Sequence, residues 1–273
     1  MSGPVRVTGM SGAGNDFLVV GPGAGRAIED RSSWARRVCR RGLSLGADGV
    51  LFVEREAPDT IRVRFVNPDG SSAFCGNGSR CAARFALLEG LAGERMTLLT
   101  DAGEIPAEVR GDQVRLVLPA PTDHGEREVV CGARVHRGRF VTAGIPHFIL
   151  FVEDVERAPL ADWGPELRRH PDFGAGGTNV NVATREDARV AMRTWERGVE
   201  GETLCCGSGA VAVAYAARLA GGAARIELRP ASGVPVYVEL PGEPDSPATA
   251  VLEGEARVLF RGEADPEAWV WPG

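Results

Sequence analysis

The chain has 273 residues, 44% apolar and 25% charged, the composition of an ordinary globular protein with room for one large domain or two smaller ones. Its net charge is −6 and its Arg residues are scattered, so no nucleic-acid-binding surface is expected. No Lys occurs, which excludes the pyridoxal-phosphate enzymes, because they hold their cofactor as a Lys Schiff base.

In chain order, the start MSGPVRVTGM lacks the apolar core of a signal peptide. No later apolar run is long enough to span a bilayer, so the expectation is a cytoplasmic protein without a membrane partner. Short, β-branched runs bounded by Gly, Pro or Asp predict strands at Val5–Thr8, Phe17–Val20, Gly49–Glu54, Ile61–Val66, Met96–Thr100, Glu104–Val109 and Gln113–Leu118. A helix is predicted at Ser32–Arg41, capped by Ser32 or Ser33, and another where the chain runs on from Cys75. Leu118–Gly125 reads as a link. Beyond it, strands are predicted at Glu126–Cys131, Arg134–Val141, Phe148–Val152, Asn179–Thr184 and Arg189–Trp195, with a helix at Leu160–His170. A helix from Cys206 follows, then strands at Arg225–Arg229, Val234–Leu240, Ala248–Glu253 and Glu255–Arg261, with a surface turn at Pro241–Pro247.

Two of these segments share a design. Cys75-Gly-Asn-Gly78 and Cys206-Gly-Ser-Gly209 each open an Ala-rich helix and reach a Gly fifteen residues after the Cys, at Gly90 and Gly221. Strand-like runs precede and follow both helices. Further upstream Gly14–Val20 lines up with Gly144–Leu150, at an offset of 130 residues against 131 for the cysteines. The ordered matches predict an internal duplication. The fold class is therefore α+β, with two pseudo-symmetric halves, each a mainly antiparallel sheet wrapped around a central helix.

Gly207-Ser-Gly209-Ala-Val-Ala212, with Glu227 beyond it, also fits a dinucleotide-binding turn. The polar segment Glu202–Cys206 in front of it is no buried strand, and no βαβ unit surrounds it. The six cysteines (Cys39, Cys75, Cys81, Cys131, Cys205, Cys206) do not suggest a disulfide framework in a chain of this size. No Cys-x-x-Cys or His-x-x-x-His pair suggests a metal site. Cys39 and Cys131 read as packing or surface residues, and Cys81 as packing. Cys75 and Cys206 differ, because a helix start lowers a thiol's pKa and should give each appreciable thiolate. Two thiols on opposite sides of a bound molecule could invert a stereocentre without a cofactor. One removes a proton and the other returns one, while helix-start N–H groups hold the adjacent carboxylate and its enediolate-like charge. The competing interpretation is that both are buried cysteines at Gly-rich caps.

Further motifs decide between these. Gly14-Asn-Asp-Phe17, Asn67-Pro-Asp-Gly70 before Cys75-Gly-Asn-Gly78, Pro146-His147, Thr178-Asn179-Val180, Glu196-Arg-Gly198, Gly201-Glu-Thr203 and Cys206-Gly-Ser-Gly209 run the length of the chain. Together they resemble the diaminopimelate epimerase family. The resemblance implies an active site in the cleft between the halves, with residues 1–122 carrying Cys75 and 123–262 carrying Cys206. A tail, 263–273, would pack back on the first half. It implies Cys75 and Cys206 as the acid/base pair, with Gly76, Asn77, Gly207 and Ser208 binding the carboxylate at the reacting carbon. His147 and Glu196 would tune the thiols. Asn15, Asn67, Asn179, Glu196 and Arg197 would recognise the substrate, the Arg197 fork gripping a carboxylate. The implied reaction converts LL-diaminopimelate to the meso form with no cofactor and no metal, in a homodimer whose partner is a small-molecule amino acid.

Three positions depart from the family pattern. Ile145 stands where members commonly have the Asn of Gly-Asn-Pro-His, Gly49 stands where some place a Gln, and one extra residue precedes Gly201. Alternatives are therefore a racemase or epimerase of proline, hydroxyproline or histidine type, or a noncatalytic amino-acid-binding protein.

Overall fold

Two compact units divide the chain, Met1–Leu116 with Gly254–Gly273, and Val117–Glu253. The structure, a computed structural model, describes residues 3–186 and 189–270; residues 271–273 of the tail expected from the sequence lie outside them. In the first unit, strands β1 (Val5–Gly12) and β2 (Asn15–Val20) lead into helices α1 (Pro22–Ala27) and α2 (Arg31–Val38). Next come β3 (Gly49–Ala57), β4 (Thr60–Val66), β5 (Ser72–Ala73), helix α3 (Gly76–Leu88), β6 (Arg95–Thr100), β7 (Gly103–Arg110) and β8 (Gln113–Pro119). The second unit has β9 (Thr122–Cys131), β10 (Arg134–Ala143), β11 (Ile145–Phe151), α4 (Leu160–Arg168), β12 (Asn179–Glu186), β13 (Arg189–Glu196) and β14 (Gly201–Thr203). It continues with α5 (Gly207–Leu219), β15 (Arg225–Arg229), β16 (Val236–Glu239) and β17 (Thr249–Glu255), after which β18 (Arg257–Ala264) belongs to the first unit and pairs with β1.

The duplication is visible in the ladders. In the first unit β1–β2 is antiparallel, β2–β3 parallel, β3–β4 and β4–β5 antiparallel, β4–β6 parallel and β6–β7 antiparallel. The second unit repeats that order strand for strand: β10–β11 antiparallel, β11–β12 parallel, β12–β13 and β13–β14 antiparallel, β13–β15 parallel, β15–β16 antiparallel. The expected α+β repeat is the observed one.

Each unit wraps its strands around one helix. α3 packs against β1, β2, β3, β4, β6 and β7, and α5 against β10 to β13, β15 and β16. From Gly209 to Arg218 every residue of α5 is buried. A run of Ala and Val without a polar face is what a helix enclosed on all sides requires. Both helices end alike. After α3 the Gly90 N–H bonds to the Leu87 carbonyl and Leu91 to Ala86, and after α5 Gly221 bonds to Arg218 and Gly222 to Ala217. This closing turn needs a left-handed residue, supplied by Gly90 at φ 67° and Gly221 at φ 89°. The Gly fifteen residues beyond each Cys is thus a helix stop.

The apolar core of the first unit lies between β1–β3 and α2, where Trp34 meets Phe52 and Trp269. That of the second gathers Phe148, Leu150, Val180 and Val182 with Leu160, Leu167 and Phe173. Each fully buried aliphatic or aromatic side chain of this kind contributes about 1.5–3 kcal/mol. No helix among the described residues is long and apolar enough to cross a membrane.

Several local expectations are corrected. α1 was not expected, because Pro22-Gly-Ala-Gly reads as a turn. α2 begins one residue earlier than Ser32 and ends at Val38, with Asp30 as its cap, accepting from the Ser33 N–H. The predicted link is short, because β9 already begins at Thr122. Glu202 and Thr203, read as polar and not as a buried strand, form the end of the part-exposed strand β14 and pair with β13.

Candidate active site

Cys75 and Cys206 occupy the same place in the repeat. Each precedes its helix in an extended conformation, at φ −134°, ψ 112° and φ −108°, ψ 111°. Each Sγ accepts the N–H three residues on, Gly78 at 3.3 Å and Gly209 at 3.4 Å. A helix start leaves its first N–H groups without intrahelical partners, and the thiol takes the place of the usual Ser or Asp cap. Cys206 is the capping residue, and Cys205 is buried beside it.

In the first unit, the Asn77 amide donates to Asn15 Oδ1 at 2.6 Å, and Asn15 donates to Asp48 Oδ2 at 2.9 Å. Asp48 in turn pairs with Arg41. A carboxylate therefore anchors two of the sequence-predicted site residues through one chain of bonds. Asp48 and Arg41 were not foreseen; the only signal was Asp48 beside Gly49. Asn67 closes the turn before β5, its amide donating to Ser71 Oγ at 3.0 Å. Gly49 is dictated by packing, because a Cβ there would lie 2.2 Å from the Phe65 ring and 2.9 Å from the Val66 carbonyl.

In the second unit Cys206 sits among donors. Ser208 Oγ lies 3.5 Å from its sulfur and the Asn179 amide 3.9 Å, while Asn179 Oδ1 accepts the Arg197 N–H at 2.8 Å. Cys206, Asn179, Ser208 and the Arg197 backbone thus lie together. Glu196 accepts from the Thr203 hydroxyl and exerts its negative charge on Cys206. His147 is completely buried; its Nε2 lies 3.0 Å from Ser208 Oγ and its Nδ1 3.1 Å from the Asn181 amide. Its link to Cys206 therefore passes through Ser208. Asn181 and Thr194, joined by a 2.9 Å hydrogen bond, were missed. The available signal was strand alternation, since Asn181 follows Asn179 by two residues and shares its face.

The expectation of a ready thiolate is overturned for Cys206. Burial pushes its pKa well above the usual 9.0 and Glu196 adds to this, outweighing the hydrogen bonds from Ser208 and Gly209. Cys206 rests as a thiol. Burial and the Arg197 charge lower His147 to about 3, so it is neutral at physiological pH. Cys81 is buried packing, as expected, with its thiol pushed up to about 12. Among the described residues no group of three or more His, Cys, Asp or Glu side chains could hold a metal ion.

The sequence pattern of the family described as diaminopimelate epimerase matches residues 7–121 and 139–258. The chain belongs to this family. A diaminopimelate epimerase of Archaeoglobus fulgidus is 36% identical over 277 residues, covering 94% of this chain and 95% of its own length. One of Moorella thermoacetica is 40% identical over 237 residues, covering 78% and 83%. Among solved structures, a Bacillus anthracis phenazine biosynthesis protein of the PhzF family aligns with a TM-score of 0.72 at 16% identity, over 96% of this chain and 99% of that one. An Agrobacterium vitis hydroxyproline epimerase with bound trans-4-hydroxy-L-proline aligns with a TM-score of 0.71 at 16% identity, over 97% and 93%. At such identities these two report the shared fold alone.

Proposed function

We propose that this protein converts LL-diaminopimelate to meso-diaminopimelate, in lysine and peptidoglycan biosynthesis, with Cys75 and Cys206 as its acid/base pair. The observation that carries the reading is the pair of thiol caps at equivalent points of the repeat, in a chain of this family. One thiolate breaks the α C–H bond and takes the proton, and the electron pair moves into the carboxylate as an enediolate. The other thiol delivers its proton to the opposite face. The two sulfurs end with exchanged protonation states, and once the product has left, loss of a proton to solvent from the first and uptake of one by the second reset them. The N–H groups at Gly76, Asn77, Gly207 and Ser208 stabilise the enediolate charge. Asn15, Asn67, Asn179, Glu196 and Arg197 recognise the rest of the substrate. Burial first and the negative charge of Glu196 second keep the proton on Cys206, which therefore starts as the acid of the pair.

The reaction needs no pyridoxal phosphate in this reading, in keeping with a chain that has no Lys. The reading extends to a cytoplasmic homodimer, and light scattering on the purified protein tests the dimer. Ile145, apolar where the family commonly has Asn, favours a second reading in which another amino acid, such as hydroxyproline, proline or histidine, is the substrate.

The test is incubation with LL-diaminopimelate in D2O under reducing conditions, followed by proton NMR of the α-positions. Exchange with inversion at one centre is the expected result. Exchange of hydroxyproline, proline or histidine with inert diaminopimelate would establish the second reading instead. No exchange with any amino acid tried would leave only a binding protein.

A further inference from the structure

The register of the duplication exposes a difference between the halves. In the parallel ladders Phe17 pairs with Gly49, and His147 with Asn179. Two residues further along β3 and β12 stand Leu51 and Asn181, whose cross-strand partners are Phe65 and Thr194. The three equivalent positions are thus Phe17, Leu51 and Phe65 in the first unit, but His147, Asn181 and Thr194 in the second. In the first unit they make an apolar wall, Phe17 and Phe65 meeting edge to face at 5.8 Å. The fold therefore does not require polar groups there. His147 and Asn181 are nonetheless 0% exposed and Thr194 only 2%, a placement that is costly unless every polar atom is matched.

Every atom of the Asn181 amide is matched, and the matching has a direction. Its Nδ2 faces the Phe148 carbonyl at 3.4 Å and His147 Nδ1 at 3.1 Å. A carbonyl can only accept, so the atom facing it is the NH2 group, and Asn181 donates to His147 Nδ1. Its Oδ1 accepts from the Thr194 hydroxyl at 2.9 Å. Nδ1 of a neutral imidazole that accepts a hydrogen bond carries no proton, so the ring proton is on Nε2. Nε2–H then donates to Ser208 Oγ at 3.0 Å, which leaves the Ser208 hydroxyl hydrogen for Cys206 Sγ at 3.5 Å.

We propose that Thr194 and Asn181 are positioning residues that lock His147 in its Nε2–H form, so that the row Asn181, His147, Ser208 points every donor toward the Cys206 sulfur. The row gives Cys206 a hydrogen bond that strengthens when the sulfur becomes a thiolate, a charge-assisted bond roughly twice as strong as a neutral one. It is confined to one unit, so the two thiols are served differently: at the position of Ser208 the first unit has Asn77, whose amide is committed to Asn15. The neutral state of His147 at working pH supports a single ring proton. The proposal rests on Cys206 being an acid/base group.

The tautomer is read directly in the resting, substrate-free protein by two-bond 15N–1H NMR of labelled His, with His147 assigned from a His147→Gln spectrum. The expected pattern is a protonated Nε2 and a bare Nδ1; a protonated Nδ1 would overturn the relay. Asn181→Asp replaces the donor by a carboxylate acceptor, so it should move the proton to Nδ1 and turn the Ser208 hydroxyl away from sulfur. In this variant and in Asn181→Leu, which copies Leu51, kcat should fall about 10- to 100-fold with KM little changed, the worth of one hydrogen bond to a charged group. Thr194→Ser should retain wild-type kcat, whereas Thr194→Val should lose part of it. Wild-type kcat in Asn181→Asp would also refute the relay. Absence of α-proton exchange in the wild type would sink the epimerase reading and the relay's purpose with it. A protonated Nδ1 in a wild type that turns over would sink the relay alone.

Discussion

Gly78 and Gly209 hold the same helix position in the two units, yet replacing each by Ala should have different effects. A methyl at Gly209 would lie 2.7 Å from Asn181 Oδ1, 3.2 Å from Cys206 Cβ and 3.3 Å from its sulfur. Asn181 cannot swing aside, being bonded to His147, the Phe148 carbonyl and Thr194. Displacing it overpacks the site and weakens a buried hydrogen bond, together about 2–4 kcal/mol. Ala gains at most about 1 kcal/mol over Gly in helix preference. The net loss is about 1–3 kcal/mol, and a loss of about 2 lowers Tm by roughly 4–8 °C for a chain of this size. At Gly78 the tightest approach would be Leu51 Cδ2, at 3.1 Å, the tip of a side chain that can give way, with Cys75 Cβ and Sγ at ordinary contact distances of 3.5 and 3.6 Å. Gly78→Ala should therefore keep its Tm within about 2 °C of wild type, strain and helix preference nearly cancelling. Thermal unfolding by calorimetry of both variants at one scan rate provides the comparison. Equal Tm values for the two would refute the claim that Asn181 is held rigidly against α5.

Cys75→Ala and Cys206→Ala should each abolish inversion of diaminopimelate in the NMR assay while leaving the circular dichroism spectrum unchanged; full activity in either would end the two-thiol mechanism. His147, lowered by burial from 6.5 to about 3, is protonated in the unfolded chain before the folded one. Its contribution is complete above pH 6.5 and declines as pH falls toward 3, with a slope of at most about 1.4 kcal/mol per pH unit that His147→Gln should remove from urea-melt stabilities. For Cys81 the sign is opposite, since burial raises it from 9.0 to about 12. Stability should hold below pH 9 and fall between 9 and 12, and Cys81→Ala should flatten that limb by about 1.4 kcal/mol per pH unit; an unchanged slope would contradict its burial as a neutral thiol.

The duplication, the two capping thiols and most strands were legible in the sequence because each rests on local pattern: Cys-Gly-x-Gly, alternation, and a terminating Gly. α1 was hidden because Pro22-Gly-Ala-Gly carries turn signals, and tertiary packing of Gly25 holds it helical against its propensity. The start of β9 was hidden by Pro119, Pro121 and Gly125, which flank a strand edge as readily as a loop. The Cys206 pKa was misjudged because sequence shows the helix start but not the burial that outweighs it. Asn181 and Thr194 are chemically unremarkable residues on ordinary strands. Their part emerges only from register, which sets Asn181 against Thr194 and two places beyond His147's partner.

The pairing of β18 with β1 has a consequence for synthesis. β2 covers one edge of β1, but on the other Val5 to Ser11 pair with residues 257–264, which leave the ribosome after the whole of Val117–Glu253. At about 5–20 residues per second, β1 waits on the order of ten seconds or more with one edge open. The second unit, continuous in sequence, can close in that interval. Vectorial folding therefore completes the later-made unit first, and the nascent β1 edge is the place where a chaperone, or a neighbouring chain on the same message, would make contact.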